Sequence, residues 1–271
     1  MTDRSWPPLA HDELCILLPT YNERESLPSM VPRLRVTVPQ AHLLIIDDAS
    51  PDGTGEIAQE MAGGDDLVHV LHRPVKEGLG RAYAAGFGWA MSERFTAVVQ
   101  IDADGSHQPE QLPSLIKAAA RADVVIGSRW VRGGSVRNWP LHRKALSLGG
   151  NLFVRIALGI PVRDATAGFR VYRVDALRAM GVDAVASAGY CFQVDLTLRA
   201  VDRNLTVREV PIEFVERVQG VSKMGTSIVA EALVRVSAWG VQRRVRQLRL
   251  ALTALTADQA ARIPTRQGHD G

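Results

Sequence analysis

The chain has 271 residues, of which 46% are hydrophobic and 23% are charged, so it can build a substantial packed core and a mainly disordered chain is excluded. Its 23 glycines and 14 prolines follow no period, which excludes collagen-like and low-complexity classes. Two cysteines, Cys15 and Cys191, provide neither a disulfide framework nor metal-ligand spacing, and a reducing compartment is expected. The formal net charge of +3 is uneven, because residues 221–271 carry eight Lys or Arg against three acids.

Short runs rich in Val, Ile and Leu alternate with helical patterns along the first half of the chain. The runs predict buried strands over 14–19, 42–47, 67–72, 96–102 and 122–127. The segments between them predict helices over 26–37, 54–62, 78–92 and 109–121. Strands without polar alternation are typical of a parallel sheet covered on both faces. The sequence therefore predicts an open, mostly parallel, doubly wound α/β fold with right-handed crossovers.

The pattern changes in the second half of the chain. It predicts a basic, glycine-containing loop over 128–140 and then, in order, a helix over 145–159, a helix over about 189–203, a strand near 205–212 and a polar connection over 213–225. The segment 226–254 has helical spacing with five arginines beside apolar residues, which predicts a basic amphipathic helix. No linker or internal repeat is evident. We therefore assign residues 1–225 to one catalytic-type α/β domain and 226–271 to that helix and a flexible tail.

Polar residues cluster where three of the predicted strands end, in PTYNE (19–23), DDASPDGTG (47–55) and DADGSH (102–107). Ligands of doubly wound sheets bind beyond the carboxyl ends of the strands, so we expect these segments to surround one ligand. Asp102 and Asp104 point the same way in an extended segment and suit Mg²⁺ or Mn²⁺ that also holds substrate phosphates. On its own such a pair is more typical of a solvated turn. Polar segments follow three of the predicted strands, however, and they contain aromatic and carboxylate side chains, which favours a nucleotide site.

Nine segments of the chain form one recognisable set of motifs: PTYNE (19–23), IIDDASPDGT (45–54), GLGRAY (78–83), DADGSHQP (102–109), GSRW (127–130), residues 133–151, DATAGFRVYR (164–173), GYCFQVD (189–195) and residues 210–225. Together they resemble the GT-A glycosyltransferases of family 2, and within them the polyprenyl-phosphate (dolichol-phosphate) mannose synthases. They lie in one register across about residues 13–225. The first four are common to many family 2 transferases, whereas the later ones indicate the polyprenyl-phosphate branch.

The resemblance implies an inverting transfer of mannose from GDP-mannose to a polyprenyl monophosphate, with Mg²⁺ or Mn²⁺ as cofactor. By matching positions it implies nucleoside contacts from Pro19, Tyr21, Glu23, Ile46 and Asp48, ribose and metal contacts from Asp102, Ala103 and Asp104, and phosphate contacts from Arg129, Arg217 and Lys223. Some relatives have a metal-binding Gln where this chain has Ser106. The Ser hydroxyl is shorter and weaker, so we expect the third ligand there to act through water or to be absent. The expected catalytic residues are Asp102, Asp104, Arg129 and Arg143.

The residue types agree with a phosphate acceptor. A sugar hydroxyl would need a positioned base, whereas a phosphate monoester is largely dianionic at neutral pH and needs cations to position it. The loop and helix start supply four guanidinium groups, from Arg129, Arg132, Arg137 and Arg143. A solvated basic loop is the alternative. Asp164 and Arg170 are expected either to orient the acceptor or to pair with each other.

Two other functions stay open on the sequence alone. UDP-glucose is an alternative donor, because a few contacts decide between guanine and uracil. A non-catalytic subunit that binds a nucleotide sugar is less favoured, because Asp102, Asp104 and Lys223 are intact. Nucleic acid is not an expected partner, since no aromatic interleaving or nucleic-acid motif accompanies the basic end.

A lipid acceptor requires contact with a membrane, but no window of about 18 uncharged apolar residues and no secretory signal is present. We therefore expect a peripheral protein at the cytoplasmic face of a membrane. Residues 145–159 and the Arg-rich 226–254 are the expected contacts. The alternative for 226–254 is a helix that packs on its own domain or on a membrane-embedded partner protein.

Overall fold

The computed structural model describes residues 9–182, 191–216 and 226–261. The strands are β1 Leu14–Thr20, β2 His42–Asp47, β3 Val68–His72, β4 Ala97–Gln100, β5 Val124–Ser128, β6 Ser135–Arg137, β7 Arg170–Arg173, β8 Val207–Pro211 and β9 Glu213–Val215. The helices are α1 Leu27–Thr37, α2 Thr54–Gly64, α3 Leu79–Ser92, α4 Leu112–Ala119, α5 Leu141–Leu158, α6 Val174–Met180, α7 Cys191–Asp202 and α8 Thr226–Ala261.

Seven strands form one mostly parallel sheet in the order β3-β2-β1-β4-β7-β5-β8. Of these seven, β7 runs antiparallel to its neighbours β4 and β5. The central strand β1 is buried along its whole length, as expected for an apolar strand covered on both faces. The predicted α/β architecture, with its five early strands and the helices between them, is confirmed.

The sequence pattern did not identify three strands. β7 lies inside the DATAGFRVYR segment, and only its pairing with β4 and β5 reveals its direction. β6 and β9 are three residues each and form a separate parallel pair, in which Val136 lies opposite Phe214. Because this small sheet pairs residues 78 positions apart in the sequence, such as Ser135 and Glu213, it links the basic loop to the residues that follow β8.

Two apolar clusters, one on each face of the sheet, form the core. One contains Leu17, Phe87, Tyr172 and Phe192 together with residues of α5 and α7. The other contains the buried faces of α1 and α4. The two faces are therefore covered by helices, which leaves the strand ends as the accessible edges of the sheet.

Helix α8 packs on α5 in the part of the chain that the structure describes. Gly240 lies so close to α5 that an added Cβ would sit 2.5 Å from the carbonyl oxygen of Ala157. Val236 is buried in the core, and Arg243 donates a hydrogen bond to the carbonyl oxygen of Leu158. Among the described residues, no helix combines the length and the apolar character needed to cross a membrane.

Candidate active site

The carboxyl ends of β1, β2 and β4 lie side by side and bring the polar segments together. Thr20 at the end of β1 lies opposite Asp47 at the end of β2, and Gln100 at the end of β4 pairs with Leu17 of β1. The loops that follow are connected, since the backbone N–H of Glu23 donates to Thr54 Oγ1 at 3.0 Å. The three polar segments therefore share one edge of the sheet.

Asp48 and Tyr21 each contact a cation from the loop after β3. Asp48 is 4% exposed and accepts a hydrogen bond from the guanidinium of Arg73. Burial raises the pKa of the Asp48 carboxyl, and the charge of Arg73 opposes this shift. Lys76 Nζ lies 3.4 Å from the centre of the Tyr21 ring, a cation–π contact. The first and second predicted polar segments thus form one charged, aromatic corner.

The carboxylate of Asp102 is held from two sides. The buried hydroxyl of Tyr83 donates to Asp102 Oδ1 at 2.9 Å, and burial followed by the charge of Asp102 raises the pKa of Tyr83 well above its ordinary value. On the other side lies Gly168, where an added Cβ would be 3.2 Å from Asp102 Oδ2. Glycine at position 168 therefore leaves the space that this carboxylate occupies.

Asp104 and Ser106 form a tight turn beside Asp102. The backbone N–H of Ser106 donates to Asp104 Oδ1 at 3.0 Å, which folds the segment back on itself. Ser106 is 1% exposed, and its Oγ has no hydrogen-bond partner within the part of the chain that the structure describes. A buried hydroxyl oxygen without a partner is therefore available beside the two carboxylates.

His107 connects the acidic edge to an aromatic cluster. Its Nδ1 accepts a hydrogen bond from the backbone N–H of Asp102 at 3.3 Å, so the ring is neutral with its proton on Nε2. The ring lies 5.4 Å from that of Phe169 and 5.2 Å from that of Phe214. Burial lowers the pKa of His107, which agrees with a neutral ring, while the charges of Asp102 and Asp104 oppose the shift.

Arg129 forms a buried ion pair with Asp164. Its Nε and Nη2 donate to the two oxygens of Asp164 at 2.8 and 2.6 Å, and Nη2 also donates to Thr166 at 2.9 Å. Asp164 is 0% exposed and also accepts from the backbone N–H of Arg129 (2.9 Å) and, more distantly, from the side chain of Asn151 (3.4 Å). The ion-pair partner of Asp164 is thus Arg129, so the alternative that Asp164 pairs with Arg170 is wrong.

Arg143 and Arg129 contact the same indole ring. The guanidinium carbon of Arg143 lies 4.3 Å from the centre of the Trp139 ring, and that of Arg129 lies 5.5 Å from it. Trp139 in turn packs edge-on against Phe214 at 5.4 Å, and Arg129 lies 5.5 Å from the same Phe214 ring. Phe214 and His107 therefore lie between the cationic groups and the acidic edge. Arg129 and Trp139 contact the Phe214 ring, and His107 contacts both that ring and Asp102.

A cavity of about 290 Å³ opens beside this cationic cluster. Arg129, Trp130, Lys144 and Leu148 are among the residues that line it, the last two on the first turns of α5. From this cavity an apolar stripe runs along the outer face of α5. It consists of Leu141, Leu148, Leu152 and Ile156, which are 42–84% exposed.

The remaining candidates differ in their placement. Pro19 and Ala103 are buried at the sheet edge, and Ile46 is 0% exposed, with its side chain in the core. Arg217 and Lys223 lie outside the described residues. The roles assigned to these five residues stay predictions.

Several residues that shape the site lie in the segments quoted above but were given no role from the sequence. Tyr83, which donates to Asp102, lies among small residues of α3. Trp139 and Phe214 are the aromatic residues that connect the cationic cluster to the acidic edge. The isolated tyrosine in the glycine- and alanine-rich helix was the available signal for Tyr83. The contact between Trp139 and Phe214 joins residues 75 positions apart, and no local pattern indicates it.

A doubly wound α/β fold with a carboxylate pair at the carboxyl edge and a neighbouring cationic cluster defines an enzyme class that handles nucleotide-linked substrates. The family model "Glycosyl transferase family 2" matches residues 15–181. The chain therefore belongs to glycosyl transferase family 2, and its architecture is the GT-A fold of a glycosyltransferase.

Two curated relatives match most of the chain. The undecaprenyl-phosphate mannosyltransferase of Micrococcus luteus is 53% identical over 236 residues, which cover 87% of this chain and 97% of the relative. The polyprenol monophosphomannose synthase of Mycolicibacterium smegmatis is 50% identical over 236 residues, which cover 86% of this chain and 89% of the relative.

Solved structures with low sequence identity share the fold. Glucosyl-3-phosphoglycerate synthase of Mycobacterium tuberculosis, in complex with Mn²⁺, UDP and phosphoglyceric acid, superposes with a TM-score of 0.61 at 20% identity and covers 88% of this chain and 84% of its own. A mannosyltransferase of Pyrobaculum calidifontis, in complex with GDP-Man and Mn²⁺, gives a TM-score of 0.51 at 15% identity and covers 96% and 84%.

Proposed function

We propose that the enzyme transfers mannose from GDP-mannose to a polyprenyl monophosphate, with inversion at the sugar carbon, to give polyprenyl-phosphate mannose and GDP. The observation that carries this proposal is the juxtaposition of an acidic edge, at Asp102 and Asp104, with two guanidinium groups on the Trp139 ring. The names of the relatives from Micrococcus luteus and Mycolicibacterium smegmatis support the same acceptor class and the same sugar.

The donor nucleotide is assigned to the corner formed by the ends of β1 and β2. Tyr21 supplies an aromatic surface, and the buried carboxylate of Asp48 supplies an acceptor for N–H or hydroxyl groups. Arg73, which already contacts Asp48, adds positive charge at this corner.

Asp102 and Asp104 fit a divalent cation of the Mg²⁺ or Mn²⁺ type. Among the described residues no group of three or more His, Cys, Asp or Glu forms a complete metal site. Mg²⁺ commonly uses one or two carboxylates and completes its shell with water and substrate phosphates, so two carboxylates suffice. The buried, unpartnered Oγ of Ser106 is the additional oxygen on the protein side. Such a cation, when bound, stabilises the charge that develops on the departing diphosphate.

The acceptor phosphate is assigned to the cationic side of the site, at Arg143. An oxygen of the dianionic phosphate forms a bond to the anomeric carbon while the bond from that carbon to the β-phosphate oxygen of GDP breaks, and the electron pair leaves with GDP. No proton has to be removed from the acceptor, which agrees with a cationic cluster in place of a general base. Arg129, fixed by Asp164, lies against the Trp139 ring on which Arg143 packs.

The polyprenyl chain and the membrane are assigned to the apolar stripe of α5. Leu148 both lines the cavity beside Arg129 and belongs to this exposed stripe, so an apolar path leads away from the phosphate site. This placement supports peripheral contact with a membrane. We assign that contact to the cytoplasmic leaflet, where the exposed arginines of α8 (Arg244, Arg246 and Arg249) would face anionic lipid.

The direct test is transfer of label by the purified full-length enzyme to a short polyprenyl phosphate. We expect lipid-phase label from GDP-mannose, its loss with EDTA and its return with Mn²⁺ or Mg²⁺. Label from UDP-glucose instead would replace the proposed donor, and retained stereochemistry at the sugar carbon would reject the displacement.

Two aspartate variants distinguish a loss of catalysis at the acidic edge from an effect of removing any carboxylate. Asp104→Asn is expected to lose transfer, whereas Asp175→Asn, which removes a carboxylate that is 94% exposed on α6, is expected to keep it. Unchanged turnover in Asp104→Asn would support a function without catalysis at this edge.

A further inference from the structure

Arg143 already holds an anion in this structure, and that anion belongs to the protein. Its Nη1 donates to the carboxylate of Glu216, which lies directly after β9. The two side chains are 18% and 28% exposed, so the pair is partly shielded from water. Arg143 Nε is buried and has no hydrogen-bond partner among the described residues, so the guanidinium donates only part of its hydrogens.

The two arginines on the Trp139 ring are held in different ways. Arg129 is bound through a fork of two hydrogen bonds to Asp164, which is fully buried and also accepts from the backbone N–H of Arg129. Glu216 instead accepts one hydrogen bond from the Arg143 side chain and remains partly open to solvent. Breaking the first pair would leave a buried charge without a partner, whereas Glu216 can exchange Arg143 for water at low cost. The carboxylate on Arg143 is therefore the exchangeable one.

We propose that Glu216 occupies the acceptor-phosphate position on Arg143 between turnovers and is exchanged for the phosphate in each cycle. This inference rests on the proposed function, because it takes the acceptor to be a phosphate monoester bound at Arg143. Glu216 is a positioning residue in this scheme, since it acts on the substrate only through Arg143.

The charges of substrate and product give the exchange its direction. A phosphate monoester carries about −1.5 to −2 at neutral pH and displaces a carboxylate of charge −1 from a guanidinium. Transfer of the sugar converts the monoester into a phosphodiester of lower charge, which competes less well with Glu216. The returning carboxylate then displaces the product from Arg143. The same side chain therefore weakens acceptor binding and promotes product release.

The test is steady-state kinetics of the full-length enzyme. A short polyprenyl phosphate is varied at saturating GDP-mannose, and GDP-mannose is varied at saturating acceptor. Glu216→Gln keeps the size of the side chain and removes its charge. We expect an acceptor KM about three- to tenfold lower than wild type, a lower kcat, stronger inhibition by added product and a donor KM within about twofold. Glu213→Gln is the matched control, because Glu213, three residues earlier in β9, forms a similar but more exposed pair with Arg137 at 3.3 Å. It is expected to leave all four values unchanged.

An acceptor KM equal to or above that of wild type in Glu216→Gln would overturn the inference, since Glu216 would then merely support Arg143. Glu216→Asp keeps the charge on a shorter side chain and is expected to give an intermediate KM. Failure of this second variant to lower the KM would likewise overturn the inference. If the wild-type enzyme catalyses the transfer and the two Glu216 variants have wild-type kinetic constants, only this inference is rejected. Absence of transfer by the wild type would reject the proposed function and the inference together.

Discussion

Gly168→Ala is the sharpest perturbation of the acidic edge, because it adds one methyl group beside the carboxylate of Asp102. The new carbon would lie 3.2 Å from Asp102 Oδ2, 3.7 Å from Oδ1 and 3.3 Å from His107 Cε1. His107 is confined by the rings of Phe169 and Phe214, so the carboxylate is the group that must move, by a few tenths of an ångström. Overpacking of this kind costs about 1–3 kcal/mol, and a misplacement near 1 Å costs about 10²-fold in rate.

We expect Gly168→Ala to fold, to lose about 1 kcal/mol of unfolding free energy, and to reduce kcat/KM for the donor about 10- to 100-fold. The concentration of Mn²⁺ that gives half-maximal activity should rise as well. Activity is measured by label transfer across a metal titration, and stability by urea unfolding. Gly63→Ala on α2 is the control, because an added Cβ there meets nothing within 4 Å and activity should be unchanged. Donor kinetics and metal requirement within about twofold of wild type in a folded Gly168→Ala protein would refute the assignment of Asp102.

Three further predictions follow from buried or partly buried side chains. Tyr83→Phe removes the donor to Asp102 and should cost about 1.5–3 kcal/mol of stability together with a loss of activity; a wild-type urea midpoint would contradict this. Arg170→Met should destabilise by about 3 kcal/mol or more, because it leaves three buried backbone carbonyls and two hydroxyls without the guanidinium donor, and an unsatisfied buried group costs about 1–3 kcal/mol; a loss below about 1 kcal/mol would count against that role. Burial holds the pKa of His107, and likewise of His42, below the ordinary 6.5, so the unfolded chain binds protons first and stability should fall as the pH drops below about 6.5. Equal midpoints at pH values of about 7.5 and 5.5 would argue against this linkage.

The parallel strands and the polar strand ends were accessible from the sequence because each depends on a local pattern. The run before Asp102 is apolar and ends in turn residues, which is enough to place the carboxylate pair at the carboxyl edge of a sheet. The direction of β7 could not be predicted, since the residues of a short, fully buried strand do not indicate whether it runs parallel or antiparallel to its neighbours. Only its pairing with β4 and β5 fixes how it runs.

The partners of the predicted site residues could not be obtained in the same way. Arg129 and Arg143 were identified as cations of one loop and helix, but their different partners, Asp164 and Glu216, are 35 and 73 residues away. Burial then distinguishes them, because Asp164 is enclosed by the core and Glu216 is not. Neither the pairing nor the difference is encoded in residue type or spacing.

The reversed direction of β7 also affects how this scaffold can diversify. Each parallel strand has its last residue at the catalytic edge, whereas β7 has its first residue there. The stretch with Asp164 and Gly168 therefore lies at the site because it precedes β7, whereas the other site segments follow their strands. A relative can lengthen or shorten that stretch while the crossover helices α1 to α3 keep their lengths. The surroundings of Asp102 and Arg129, which this stretch contacts through Gly168 and Asp164, can thereby change without any change in those helices.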